Sequence, residues 1–314
     1  MEVLEAHFGT SAEPTNTAEP PDTHVQMSQE AGYACMQVVE AIRDHKPDVV
    51  YLIGDRYEVA GVALGASLMN CIIAHQMGGE VSGTIDEHLR HAISKLAHIH
   101  FPATVEAGLR LRRLGEPPDR IHVVGCPRID LARIALLGYS RTCEDFVLVC
   151  QHPVTTEPGM ASHQMRATLE AALRLDIPVV CVPPNSDAGR NDVWNVIESY
   201  GQRIQVMPNV DPFQYARLMH DCAVMIGNSS SGLREGAWIG TPYVLVGSRQ
   251  RRREWADNVV TAALTVDDLV AALKERMTWE RKSSDLYGDG FAAQRIAKVL
   301  VEGELPPVQK EMWE

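Results

Sequence analysis

Val224-Met225-Ile226-Gly227-Asn228-Ser229-Ser230-Ser231-Gly232-Leu233-Arg234-Glu235 opens as a buried strand, breaks at a glycine, passes through small polar residues and runs on into a helix-like stretch. The same grammar recurs along the chain. Short Val- and Ile-rich runs end in Gly, Pro, Asn or Asp and lead into helical patterns, which is the signature of parallel βαβ units and sets the fold class as α/β. In the first half the strand candidates are Val49–Gly54, Ile72–Met77, Ile99–Pro102 and His122–Gly125, with helical patterns at Met27–His45 and Ile85–His98. A second series starts near Phe146, with strands expected at Phe146–Gln151, Pro178–Val182, Ile204–Met207, Ala223–Gly227 and Tyr243–Gly247. Two sheets follow, with a boundary expected around Arg141–Asp145. Pro- and Thr-rich Glu13–Thr23 reads as a loop.

Bulk composition agrees with two cores. The 314 residues are 45% hydrophobic, enough apolar material for two domains of ordinary size. A net charge of -12 opposes general binding to nucleic acid or an anionic membrane, so an anionic ligand needs a locally basic pocket. No apolar run reaches the roughly 20 residues of a membrane helix, and no signal-peptide pattern opens the chain, so a cytoplasmic location is expected. The seven cysteines include no Cys-x-x-Cys pair and read as buried thiols.

In open parallel sheets ligands bind beyond the carboxyl ends of the strands, so the residues that follow each run carry the functional information. After Val224–Ile226, Ser229, Ser230 and Ser231 offer hydroxyls, a helix N-terminus would add free amides for a phosphate, and Glu235 could accept from ribose hydroxyls. Read alone, the segment is equally an ordinary helix cap. Arg249, with Arg251, Arg252 and Arg253, could neutralise a diphosphate or line a solvated face. Asn185-Ser186-Asp187-Ala188-Gly189 is a strand-to-helix turn suited to a sugar or phosphate. Asp55-Arg56 is either a positioned acid beside a cation or a structural ion pair, and Asp86 is an acid or a helix cap. His152 is held extended by Pro153 and could serve as acid, base or phosphate ligand. His88, His91, His98 and His100 have no third ligand at recognisable spacing, so no metal site is expected.

Together these segments resemble the hydrolysing UDP-N-acetylglucosamine 2-epimerases. The stretches that carry the likeness are Gly54-Asp55-Arg56, Gly78 to Asp86 with Arg90 to His98, Gln151 to Thr156, Asn185 to Gly189, Gly227 to Glu235, Gly240-Thr241-Pro242, Gly247 to Gln250 and Tyr287 to Gly290, in family order from about Val49 to Ala297. The resemblance implies two Rossmann-like domains of GT-B type that close over a nucleotide sugar. It sets their spans at 1–142 and 143–285, with a C-terminal helix at 286–314 packing back across them. It also implies no cofactor, water as co-substrate, a homodimer or homotetramer, and a place in sialic- or legionaminic-type sugar metabolism. In chemistry, loss of the C2 proton with departure of UDP is followed by addition of water. By position, Asp55, Asp86, His152 and Glu80 resemble the catalytic group, and Arg56, Asn185, Ser229, Ser230, Glu235 and Arg249 the set that binds the UDP-sugar.

Two features depart from the family pattern. Met77 stands where relatives carry a glutamate of the acid/base group, and a thioether cannot shuttle a proton. The chain opens at Met1-Glu2-Val3-Leu4-Glu5 in what resembles a helix, so the first βαβ unit is expected to be missing. Three readings stay open: an active epimerase, a nucleotide-sugar-binding relative without turnover, and a glycosyltransferase on the same fold.

Overall fold

The computed structural model describes residues 3–4, 21–141 and 145–311, which divide into two compact units. The first holds the described residues up to Gly125 together with those from Ala292 onward, and the second runs from Cys126 to Phe291.

In the first unit the elements are β1 (Val3–Leu4), α1 (His24–His45), β2 (Val49–Ile53), α2 (Tyr57–Leu68), β3 (Ile72–Gln76), α3 (Asp86–Leu96), β4 (Ile99–Phe101) and α4 (Val105–Arg113). The strands form one sheet in the order β1-β2-β3-β4, every pair parallel. Residues alternate across a strand, so Val50 and Leu52 pack under α1 and α2 with Val38, Ile42, Val62 and Ala66, while Val49 faces the opposite core. Thr23 starts α1 through a reciprocal capping box with Gln26.

In the second unit the elements are α5 (Pro127–Ala135), β5 (Val147–Cys150), α6 (Ala161–Leu173), β6 (Val179–Val182), α7 (Arg190–Ser199), β7 (Gln205–Val206), α8 (Pro212–Asp221), β8 (Val224–Gly227), α9 (Glu235–Ile239), β9 (Tyr243–Leu245), β10 (Val259–Thr261) and α10 (Val266–Met277). The parallel sheet has the order β10-β9-β8-β5-β6-β7. Val147 and Val149 join α6, α7 and α10 on one face, and Leu148 and Cys150 join α8 on the other. Chain direction across the sheet reverses between β5 and β8, the switch point at which doubly wound folds bind ligands.

Several expectations change. Val3–Leu4 pairs in parallel with β2, so it is a strand and not the start of a helix. His122–Gly125 is not a strand: a single bridge joins His100 to Ile121. Strand β10 escapes the sequence reading because it lies on the sheet edge, with Val259 and Val260 half-buried and Thr261 exposed. The dividing line falls at Cys126 rather than near Arg141, because Ala132 and Ala135 of α5 pack on Ala216 of α8. The last element, α11 (Ala292–Glu302), belongs to the first unit, where Ile296 and Leu300 pack with Val49, Ile72, Ala74, Ile99 and Phe101. No described cysteine forms a disulfide, and five of the six are buried; Cys143 lies outside the described residues, as does most of the Glu13–Thr23 loop. Among the described residues no helix is long and apolar enough to cross a membrane.

Candidate active site

In the first unit the acids collect around one guanidinium. Arg90 is fully buried on α3, four residues and so one turn beyond Asp86. Its Nε donates to Asp55 Oδ2 at 2.8 Å and its Nη2 reaches the same oxygen. The remaining donors go to the Glu80 carbonyl and Glu87 Oε2, each at 2.9 Å, and to Ser82 Oγ at 2.9 Å. One side chain thus ties the tip of β2, the loop after β3 and the start of α3 together. Burial works against the Arg90 charge, but Asp55, Glu80 and Glu87 outweigh it and raise its pKa. Glu80 itself is buried, whereas Asp55 keeps one fifth of its side chain exposed.

His75, at zero exposure on β3, supports the same tip. Its Nε2 donates to the Gly54 carbonyl at 2.8 Å, and its Nδ1 accepts from Ser94 Oγ at 3.1 Å. Those bonds fix a neutral ring, and burial lowers its pKa to about 4. Gly79 has φ +77, and a Cβ there would lie 2.1 Å from the Ala107 carbonyl oxygen, so the turn that presents Glu80 needs glycine. Met77, one residue after β3, is buried and left-handed at φ 72. Arg56 makes a fork to Glu58 at 2.9 and 3.1 Å and lies 5.0 Å from the Tyr57 ring.

In the second unit the switch point is built by His152 and Asn228. The His152 amide donates to Asn228 Oδ1 at 2.7 Å, and Asn228 Nδ2 returns a bond to the His152 carbonyl at 2.8 Å. His152 Nδ1 accepts from the Asn185 amide at 3.1 Å, which leaves the ring proton on Nε2. Asn185 Nδ2 donates to Asp187 Oδ2 at 2.6 Å, and Arg249 Nη2 lies 3.5 Å from the same oxygen. His152, Asn185 and Arg249 are therefore brought into one network.

The serine loop departs from the helix-dipole reading. Ser230–Gly232 form a single 3-10 turn, and α9, which starts at Glu235, has five residues. The Ser231 amide is taken by Ser229 Oγ, and those of Leu233 and Arg234 by the Ser230 carbonyl. Three amides expected to point outward are satisfied inside the loop. Hydroxyls supply the polarity instead: Ser229 Oγ lies 2.8 Å from Ser231 Oγ, which lies 2.8 Å from the Tyr215 hydroxyl. Tyr243 OH donates to the carbonyls of Gly227 and Ser229 and holds the loop from beneath. Gly227 is obligatory, since a Cβ would lie 2.0 Å from the Cys150 carbonyl oxygen at φ +143. Ser230 Oγ accepts from Arg234 at 3.4 Å, and buried Glu235 accepts from Arg128 Nε at 3.2 Å.

Arg90, His75 and Asn228 are the residues to which sequence reasoning gave no role. The polar residues after β3 and β8 flagged their neighbourhoods, but their partners lie 35, 21 and 76 positions away.

Comparisons with known proteins place the chain in a family. The family model described as UDP-N-acetylglucosamine 2-epimerase matches residues 2–301. The chain is 34% identical over 293 residues to the UDP-N,N'-diacetylbacillosamine 2-epimerase (hydrolyzing) of Legionella pneumophila, covering 88% of this chain and 77% of that protein. It is 29% identical to a UDP-N-acetylglucosamine 2-epimerase of Neisseria meningitidis, over 81% of this chain and 71% of the relative. The crystal structure of Methanocaldococcus jannaschii UDP-GlcNAc 2-epimerase in complex with UDP-GlcNAc and UDP has a TM-score of 0.76 at 19% identity, covering 87% of this chain and 81% of that one, a likeness of fold. With two Rossmann-like units of GT-B type and a family match over nearly its whole length, the chain belongs to the UDP-N-acetylglucosamine 2-epimerase family and is an enzyme of its hydrolysing type.

Proposed function

We propose that the enzyme converts a UDP-linked 2-acetamido sugar to UDP and the free sugar inverted at C2. A carboxylate takes the proton from C2 while the C1–O bond breaks and UDP leaves with the electron pair. Water then adds to the resulting glycal, its hydroxyl to C1, while a proton is delivered to C2 from the opposite face. Asp55, Asp86 and Glu80 are the acids assigned to these transfers. His152 joins them in the catalytic group, Ser229, Ser230, Asn185, Arg249 and Arg56 are assigned to the UDP-sugar, and Glu235 to ribose. Stabilising the charge that develops on the departing diphosphate supplies much of the rate.

The observation that carries this reading is the clamp of Arg90 on Asp55, because an acid that works on a C–H bond must be held in place. Met77 favours a second reading, a relative that binds without turnover, since the position lacks the family glutamate and its side chain is buried. In the first reading Glu80, three residues on, takes that role. The relatives' names suggest two substrates, UDP-N-acetylglucosamine and UDP-N,N'-diacetylbacillosamine. Incubation with each, followed by NMR, should yield UDP and a 2-epimerised free sugar from at least one. Binding without release would favour the second reading, and release only with an acceptor sugar would point to a transferase. A homo-oligomer is proposed from the family likeness and is checked by light scattering.

A further inference from the structure

The segment after α11 folds back onto the first unit and places one ammonium group beneath α3. Lys310 Nζ lies 2.6 Å from the Ala97 carbonyl oxygen, 2.9 Å from that of Lys95 and 3.3 Å from that of Ser94, carbonyls where α3 ends, of which that of Ser94 also accepts from the Ala97 amide. It also lies 2.5 Å from Glu116 Oε2. Glu116 has no exposed surface and gathers two further donors, Lys95 Nζ at 2.7 Å and His100 Nε2 at 2.9 Å. Burial pushes the Glu116 carboxyl up, but the three donors outweigh it and bring it down to about 2. Around Lys310 the segment is tied at other points: His98 Nε2 donates to the Val308 carbonyl, Arg120 to that of Glu304, and Leu305 packs in the core under the sheet.

The other end of α3 bears Asp86 and, one turn on, the Arg90 that holds Asp55. Asp86, Arg90 and Ser94 stand at i, i+4 and i+8 on one face of a helix about 16 Å long. Ser94 takes part at both ends: its carbonyl accepts from Lys310, and its hydroxyl bonds His75, which holds Gly54 beside Asp55. We propose that Lys310 is a positioning residue for the reaction: its ammonium pins the C-terminal end of α3 and so sets where Asp86 stands and where Arg90 holds Asp55. A helix moves as a rod, so release at one end displaces the acids at the other. This role rests on the epimerase reading given above.

The test uses the full chain with Lys310→Met and Lys310→Arg, measuring kcat and KM on the UDP-sugar, thermal melting, and hydrogen exchange of the α3 amides. Lys310→Met should lower kcat roughly ten- to a hundredfold, the scale of a small misplacement at the reacting centre. KM should stay within about twofold, because the residues assigned to UDP lie mostly in the second unit. Exchange along α3 should quicken, and Lys310→Arg, which keeps a cationic donor, should recover most of kcat. Lys310→Met turnover within about twofold of wild type would overturn the role, as would equal loss in both variants with α3 exchange unchanged. If the wild-type protein turns over neither sugar, the epimerase reading fails by itself and exchange still decides the strap: unchanged α3 protection in Lys310→Met overturns it.

Discussion

Asp55 depends on Arg90 for its position, and Arg90 depends on Asp55 and Glu87 to remain buried as a cation. Removing one partner of such a pair leaves an uncompensated charge, which costs about 3–5 kcal/mol. Arg90→Met should therefore lower both stability and kcat, whereas Asp55→Asn should abolish turnover and leave UDP affinity within about twofold, readable by calorimetry. Protonation gives a separate check. The His75 pKa is depressed by burial from 6.5 to about 4, so between those values the unfolded chain binds a proton that the native chain refuses. Its contribution is complete above pH 6.5 and is lost as pH falls toward 4, on the order of 3 kcal/mol in all. His98, His100 and His122 are shifted in the same direction by burial. Urea midpoints measured from pH 7 to pH 5 should fall, and less steeply in His75→Gln. Asp55 and His152 were legible as candidates in the sequence because each follows a Val-rich run at a strand's carboxyl end. Arg90 was not, since four of its five hydrogen bonds run to residues 8 to 35 positions away.

Among elements, the strand-to-loop junctions carry the proposed site, and β8 shows how tightly its loop is built. Gly227 combines a left-handed φ with a backbone contact no side chain could survive, so Gly227→Ala should destabilise the second unit by about 1–3 kcal/mol or more. Loss of UDP affinity, read by titration calorimetry, should accompany it because Tyr243 ties this residue's carbonyl to that of Ser229 and so sets the loop that carries the serine hydroxyls. Central strands were readable because burial on both faces makes them continuous apolar runs. Strand β1 is two residues flanked in sequence by Glu2 and Glu5, and β10 ends on exposed Thr261 at the sheet edge, so neither stands out as an apolar run. The helix expected after the serines is present but short. Small hydroxyl residues satisfy neighbouring backbone groups and shorten the element they precede, here to a 3-10 turn and five residues of α9.

At the scale of the molecule, each unit buries cores of its own, around Ile73 and Phe101 in the first and around Val149 and Tyr243 in the second. Excess UDP at about a hundredfold over its Kd should stabilise by about 2.7 kcal/mol. Hydrogen exchange should place the added protection mainly at β5, β8 and the turn after β6. The division at Cys126 was hidden from sequence because α5 sits before the apparent boundary but packs with α8, a contact more than 80 positions away. The central claim is that the acids held by Arg90 break a C–H bond in the same turnover that releases UDP. Incubation with UDP-N-acetylglucosamine in deuterated water tests it most directly. The account predicts UDP release matched one for one by free sugar of inverted C2 configuration carrying deuterium at C2, and neither in Asp55→Asn. UDP released with C2 still protonated and uninverted would contradict it.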